Sequence, residues 1–371
     1  DFEELATPER NWVGIGAVAL TVLFGAVAVL GLRHLLGVPA LAGGNLLPVS
    51  TDLAALLSKA ASGWTSAGAG APGYDGPFGW LLALFGLTTN ASMTLVWIWI
   101  LALPLAGFGA WMMAGAITSS RYLRFAAGLL WAAAPVLLIS LSEGRLGGLL
   151  THIVLPWFVL ALLRAIGYKA DDIQLFRSLR SEDEVAEQRP VVFGRKARDN
   201  NAATSLTAAA WVAILLAVIT AVAPSMFIPL TAGVIVVTLV LRSRAKILWW
   251  TPLLAAATFI PAVVTHRTNL RAILADPGAP AGYDPAPAWQ LLLGLPHNTS
   301  LDAGLAELPW LDLVGPAVPW TGVFIGIIAV PFLLAAIVGA IAPGIGGNLA
   351  RAGTIMGFLG LAAATANSNF I

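Results

Sequence analysis

No cysteine occurs anywhere in the chain, which excludes disulfides, thiolate metal sites and cysteine nucleophiles. Charge is also scarce: charged residues make up 11% of the chain against 58% apolar ones, too few to cover a water-facing surface. A formal net charge of +1 leaves no basic excess, so nucleic acid is set aside as a partner. The sequence has no Gly-x-Ser-x-Gly element, no Gly-Lys-Ser/Thr after its glycine-rich stretch, and no His/Asp/Glu spacing that specifies a metal. The cofactor is therefore unassigned, with a divalent metal left open.

What the chain does have is repeated apolar stretches of about 18 to 22 residues, the length that crosses about 30 Å of hydrocarbon. The pattern predicts an all-α, polytopic transmembrane helix bundle of about eight or nine spans, with the lipid bilayer as its solvent. The spans are read at 11–32, 92–117, 122–141, 149–166, 206–223, 226–241, 247–265 and 320–341, with a short ninth at 354–364. They divide the chain into an N-terminal membrane region, 1–166, with a large loop at 33–90, and a charged loop at 167–204. A C-terminal membrane region, 205–371, carries a second long loop at 266–319. The opening Asp1-Phe2-Glu3-Glu4 without a methionine, and the stop at Asn369-Phe370-Ile371, read as a fragment of a longer chain.

Fifteen of the 20 Lys and Arg residues fall on one alternate set of loops, while Arg33, Lys59, Arg145, Arg267 and Arg271 fall on the other. Cytoplasmic loops retain positive charge. The bias predicts a multi-pass plasma-membrane protein with its N-terminus and the 167–204 loop in the cytoplasm, and both long Gly/Pro-rich loops outside.

Within the first long loop, Leu53, Leu56, Leu57, Ala60 and Trp64 recur at helical spacing, which predicts an interfacial amphipathic helix. The run 78–87 is too short to cross a bilayer and too apolar for water. Between them lies a glycine-rich stretch holding Trp64, Tyr74 and Asp75. Rings of Trp and Tyr stack on sugar faces and a carboxylate accepts hydroxyl hydrogen bonds, so the stretch fits a sugar site; it fits a flexible linker equally well. Glu143, Arg145 and His152 fall at the outer end of the third and fourth spans, where charge is costly. The Arg145 fork matches the oxygens of a lipid-linked phosphate; the same residues also fit a surface ion pair and a hydrogen-bonded core histidine. The second long loop supplies His266, Arg267, Arg271, Asp276, Asp284, Asp302, Glu307 and Asp312, most of which read as solvated.

Gly43-Gly44-Asn45-Leu46-Leu47-Pro48, Ser62-Gly63-Trp64, Asp75-Gly76-Pro77-Phe78, Gly144-Arg145-Leu146 and Leu155-Pro156-Trp157 together resemble the multi-spanning portion of large actinobacterial glycosyltransferases. In those proteins a cytoplasmic family-2 glycosyltransferase domain is often fused ahead of a polytopic region similar to arabinofuranosyltransferases of the GT-C type. The resemblance covers about residues 10–170. It implies transfer of a sugar from a polyprenyl-phosphate donor to a cell-wall glycan acceptor at the outer face. It also implies a carboxylate of the first outer loop as general base. Asp75 and Asp52 are the acids that fit, and Asp75 is preferred because it lies within the matching run. The chain departs from the pattern in having no paired acids there and no family-2 domain. Two rival readings are a lipid-linked sugar flippase and a membrane anchor for a family-2 domain. The lack of an internal repeat and the charges at helix ends weigh against the first; the long loops weigh against the second.

Overall fold

The computed structural model describes residues 8–62, 64–65, 71–72, 76–87, 90–118, 120–168, 204–267, 273 and 276, with helical pieces at 337–338, 340–341, 347–348, 350–355 and 357. Helix α1 (Pro8–Gly31) leads into the first long loop, which opens with a 3-10 turn at Arg33–Leu35. This loop contains α2 (Leu53–Ala61), the antiparallel pair β1 (Trp64–Thr65) and β2 (Ala71–Pro72), and α3 (Pro77–Phe85). Four helices follow: α4 (Ala91–Ile117), α5 (Arg121–Ala132), α6 (Pro135–Ser142) and α7 (Leu146–Ala165). After the charged segment come α8 (Leu206–Val222), α9 (Phe227–Leu241), α10 (Thr251–Thr258) and α11 (Ile260–Thr265).

The architecture is thus helical apart from one two-residue strand pair among the described residues. Five segments are long and apolar enough to cross a membrane: Gly14–Gly31, Ala91–Ile117, Arg121–Ser142, Leu146–Ala165 and Pro224–Leu241. The 17-residue α8 is apolar but shorter. Expected spans at 320–341 and 354–364, and the loop at 167–204, lie almost entirely outside the described residues.

Capping and proline chemistry set the element boundaries. Asn90, Ser120 and Ser205 each accept a hydrogen bond from a first-turn N–H, of Met93, Leu123 and Ala208, satisfying donors that a helix start leaves orphaned. The single helix expected over 122–141 is broken at Ala133 and Ala134, because Pro135 forces Ala134 into extended backbone at ψ 135°. The single span expected over 247–265 is likewise divided: a 3-10 turn at Arg242–Leu248 precedes α10 and α11, whose first turns hold Pro252 and Pro261. Proline lacks the N–H that would continue a helix through it.

Packing follows small residues. Helix α1 buries one stripe, Leu20, Phe24 and Ala28, and exposes Val18, Val22 and Leu30, as a lipid-facing helix does. Gly107 on α4 and Gly128 on α5 admit the Leu20 side chain, which a Cβ at either position would strike; small residues of this kind let membrane helices approach closely. Gly16 lies against the Trp111 ring, and the Arg124 guanidinium sits 4.9 Å over that ring. Helices α7 and α8 form the largest buried cluster through Phe158, Val212 and Leu216. At their far end Gly147 meets the Val222 carbonyl, where a Cβ would collide.

Candidate functional site

The ends of α1, α6, α8 and α11 and the starts of α4, α7 and α9 all lie at one end of the bundle, together with the first long loop. Hydrogen bonds fasten that loop down. The Ser92 hydroxyl donates to the Val49 carbonyl at 2.6 Å, and the Thr94 hydroxyl donates to that of Phe85 at 2.9 Å. Helix α2 buries Leu56 and Ala60, with Leu56 packed against Ala83 of α3 and Ala91 of α4; Leu57, expected on the same face, is exposed, and Trp64 lies past the helix in β1.

Two glycine turns meet at this end. Gly44 and Gly144 both have positive φ, 58° and 72°, a region open chiefly to glycine. A Cβ on Gly44 would strike the Glu143 carbonyl, and one on Gly144 would strike that of Gly43. The turns are joined by the Asn45 N–H, which donates to the Glu143 carbonyl at 2.8 Å. Segments 100 residues apart in the chain, 43–48 and 144–146, therefore form one surface.

That surface borders a cavity of about 620 Å³. Its walls are residues 45–50, one face of α2, the start of α3, Leu146, the α8–α9 turn, the end of α11, Ile273 and Asp276. This volume is in the range of small-ligand sites, as is an apolar lining broken by a few polar groups. The polar side chains in the wall include Asn45, Ser50, Lys59, His266 and Asp276. Among the described residues, Ser225 holds Asp276. The Ser225 N–H donates to its Oδ1 at 3.0 Å and the Ser225 hydroxyl donates to its Oδ2 at 2.7 Å. Burial pushes the Asp276 carboxyl above the usual Asp range, while both Ser225 donors pull it back down.

The residues singled out from sequence are distributed unevenly. Arg145 and Glu143 form an ion pair of 2.6 Å on the α6–α7 turn, both partly exposed, beside Asn45 and Leu146 of the cavity wall. Asp52 caps α2, accepting from the Ala54 N–H at 3.0 Å, and is not part of the wall. Trp64 pairs through its backbone with Pro72 in the β pair. Tyr74 and Asp75 lie outside the described residues.

His152 lies deeper, 7% exposed, with its ring stacked 4.3 Å from that of Trp131. The two residues exchange hydrogen bonds. The His152 Nε2 is 2.8 Å from the Trp131 carbonyl, and the Trp131 indole N–H donates to the His152 carbonyl at 3.1 Å. A carbonyl only accepts, so Nε2 carries the proton.

His266 and Asp276, two of the polar residues that the second long loop supplies, are in the cavity wall. One signal for Asp276 was present in the sequence: it follows the apolar run Ala272-Ile273-Leu274-Ala275 directly. Among the described residues, no group of three His, Asp or Glu side chains forms a metal site. Compared with family models, curated proteins and solved structures, the chain matches none.

Proposed function

We propose that the protein is a membrane glycosyltransferase, moving a sugar from a polyprenyl-phosphate donor to a cell-envelope glycan at the outer face of the plasma membrane. The observation that carries this reading is the cavity wall at one end of the bundle, where the 43–48 turn and the Glu143–Arg145 turn are joined. Those two segments are among the motifs on which the sequence resemblance rests. An apolar hollow with the Lys59 ammonium in its wall, bordered by the turn that carries Arg145, suits a substrate that is part lipid and part phosphate. The opposite end of the bundle carries Arg121, Arg124, Arg164 and Arg242, and the positive-inside bias makes that end cytoplasmic.

A second reading, a flippase for the same lipid-linked sugar, draws on the broken helix pair α10 and α11, since Phe259 at the break lines the cavity and transporters build sites from discontinuous helices. One experiment separates the two. The purified full-length protein is placed in vesicles with a synthetic polyprenyl-phosphate sugar donor and an envelope glycan. Sugar appearing on the glycan supports the transferase; donor crossing the bilayer with no sugar on the glycan supports the flippase.

A further inference from the structure

The geometry points to Asp276 as the proton acceptor of the cavity, taking the proton from the acceptor hydroxyl as that oxygen attacks the donor sugar. This rests on the glycosyltransferase reading. The step balances within the cavity's own groups: the acceptor oxygen forms a bond to the anomeric carbon and the bond from that carbon to the donor phosphate breaks. The phosphate leaves with the electron pair, and the hydroxyl proton passes to the Asp276 carboxylate.

Three observations carry the assignment. First, of the described residues that line the cavity, Asp276 is the carboxylate. Second, it is fixed rather than swinging, because the Ser225 N–H and hydroxyl hold its two oxygens separately, at 3.0 and 2.7 Å. Each oxygen keeps a second lone pair, so a substrate hydroxyl can still be accepted. Third, the turn that presents Ser225 is itself set by close packing of α7 on α8, through Gly147 against the Val222 carbonyl. A carboxylate partly withdrawn from water has a higher proton affinity than an exposed one, which suits a base. Lys59 of α2 lines the same cavity, and an ammonium there suits the departing phosphate.

The test uses the full chain in vesicles, with donor binding measured apart from transfer. Asp276→Asn keeps the shape and can hydrogen-bond both atoms of Ser225, but it cannot take a proton. The expected result is a fall in kcat on the order of 100-fold with donor Kd unchanged and the variant still folded. Ser225→Ala removes one donor that stabilises the carboxylate, so the acid limb of its kcat/KM profile is expected to move to higher pH. Asp276→Asn transferring at the wild-type rate, or Ser225→Ala with an unmoved acid limb, overturns the assignment. Wild-type protein that binds donor and transfers nothing overturns the glycosyltransferase reading itself, and this assignment with it.

Discussion

Trp131 and His152 repair each other's helices. Each stands four residues before a proline, Pro135 and Pro156, and a proline has no N–H to give to the carbonyl four residues back. The His152 Nε2–H supplies the Trp131 carbonyl at 2.8 Å, supplemented by a longer turn bond from the Ala134 N–H at 3.2 Å. The Trp131 indole N–H supplies the His152 carbonyl at 3.1 Å. Helix breaks at this depth are tolerated where neighbouring side chains satisfy the freed backbone.

The exchange predicts non-additive mutations. Trp131→Phe keeps an aromatic ring but leaves the His152 carbonyl unmet, at a cost of about 1–3 kcal/mol. Adding Pro156→Ala restores a backbone donor to that carbonyl. Unfolding in detergent should therefore show the double variant recovering on the order of 1 kcal/mol relative to the sum of the singles; strict additivity would contradict the exchange.

The paired glycine turns give a second prediction. Gly44→Ala and Gly144→Ala each combine a positive φ with a collision against backbone, so each should cost about 1–3 kcal/mol. Gly37→Ala, at a positive φ with open space around it, should cost less. Thermal unfolding of the three variants ranks them directly.

Arg145 separates stability from binding. Its pair with Glu143 is partly exposed, so Arg145→Ala should change stability by less than about 1 kcal/mol. Transfer should nonetheless fall, through a raised KM for the polyprenyl-phosphate donor. Arg145→Lys keeps the charge without the planar fork and should fall between the two. Equal KM values across the series would remove Arg145 from the donor site.

Asp276 makes stability depend on pH. Its folded-state carboxyl is raised above the ordinary Asp range by burial, so its contribution is full below that range and is lost as pH rises through the folded value. Wild-type melting temperature should drop across mildly acid pH more steeply than that of Asp276→Asn, which has no proton to lose there. Parallel curves would contradict the burial.

Much of the bundle was legible in the sequence because lipid demands long apolar runs, and the edges of α1, α4, α7, α8 and α9 fall within a few residues of the spans read from composition. The breaks before Pro135 and within 247–265 were missed because hydropathy averages across a proline. The cavity was not legible because its wall combines segments of both loops with the ends of α7, α8 and α11. Asp276 shows why: its hydrogen-bond partner is Ser225, 51 residues earlier, a pairing that no local pattern names. The proline spacing behind Trp131 and His152 was visible, but nothing local to either residue named the other as partner.

The account stands or falls on the cavity, and Ala55 offers the cleanest way to close it. Ala55 lines the cavity from an exposed position on α2, so Ala55→Trp fills the space without removing a buried contact. Sugar transfer from a synthetic polyprenyl-phosphate donor by full-length protein in vesicles should fall on the order of tenfold, about 1.4 kcal/mol of lost transition-state stabilisation, with the melting temperature unchanged. Undiminished transfer by a stably folded Ala55→Trp protein would place the chemistry elsewhere.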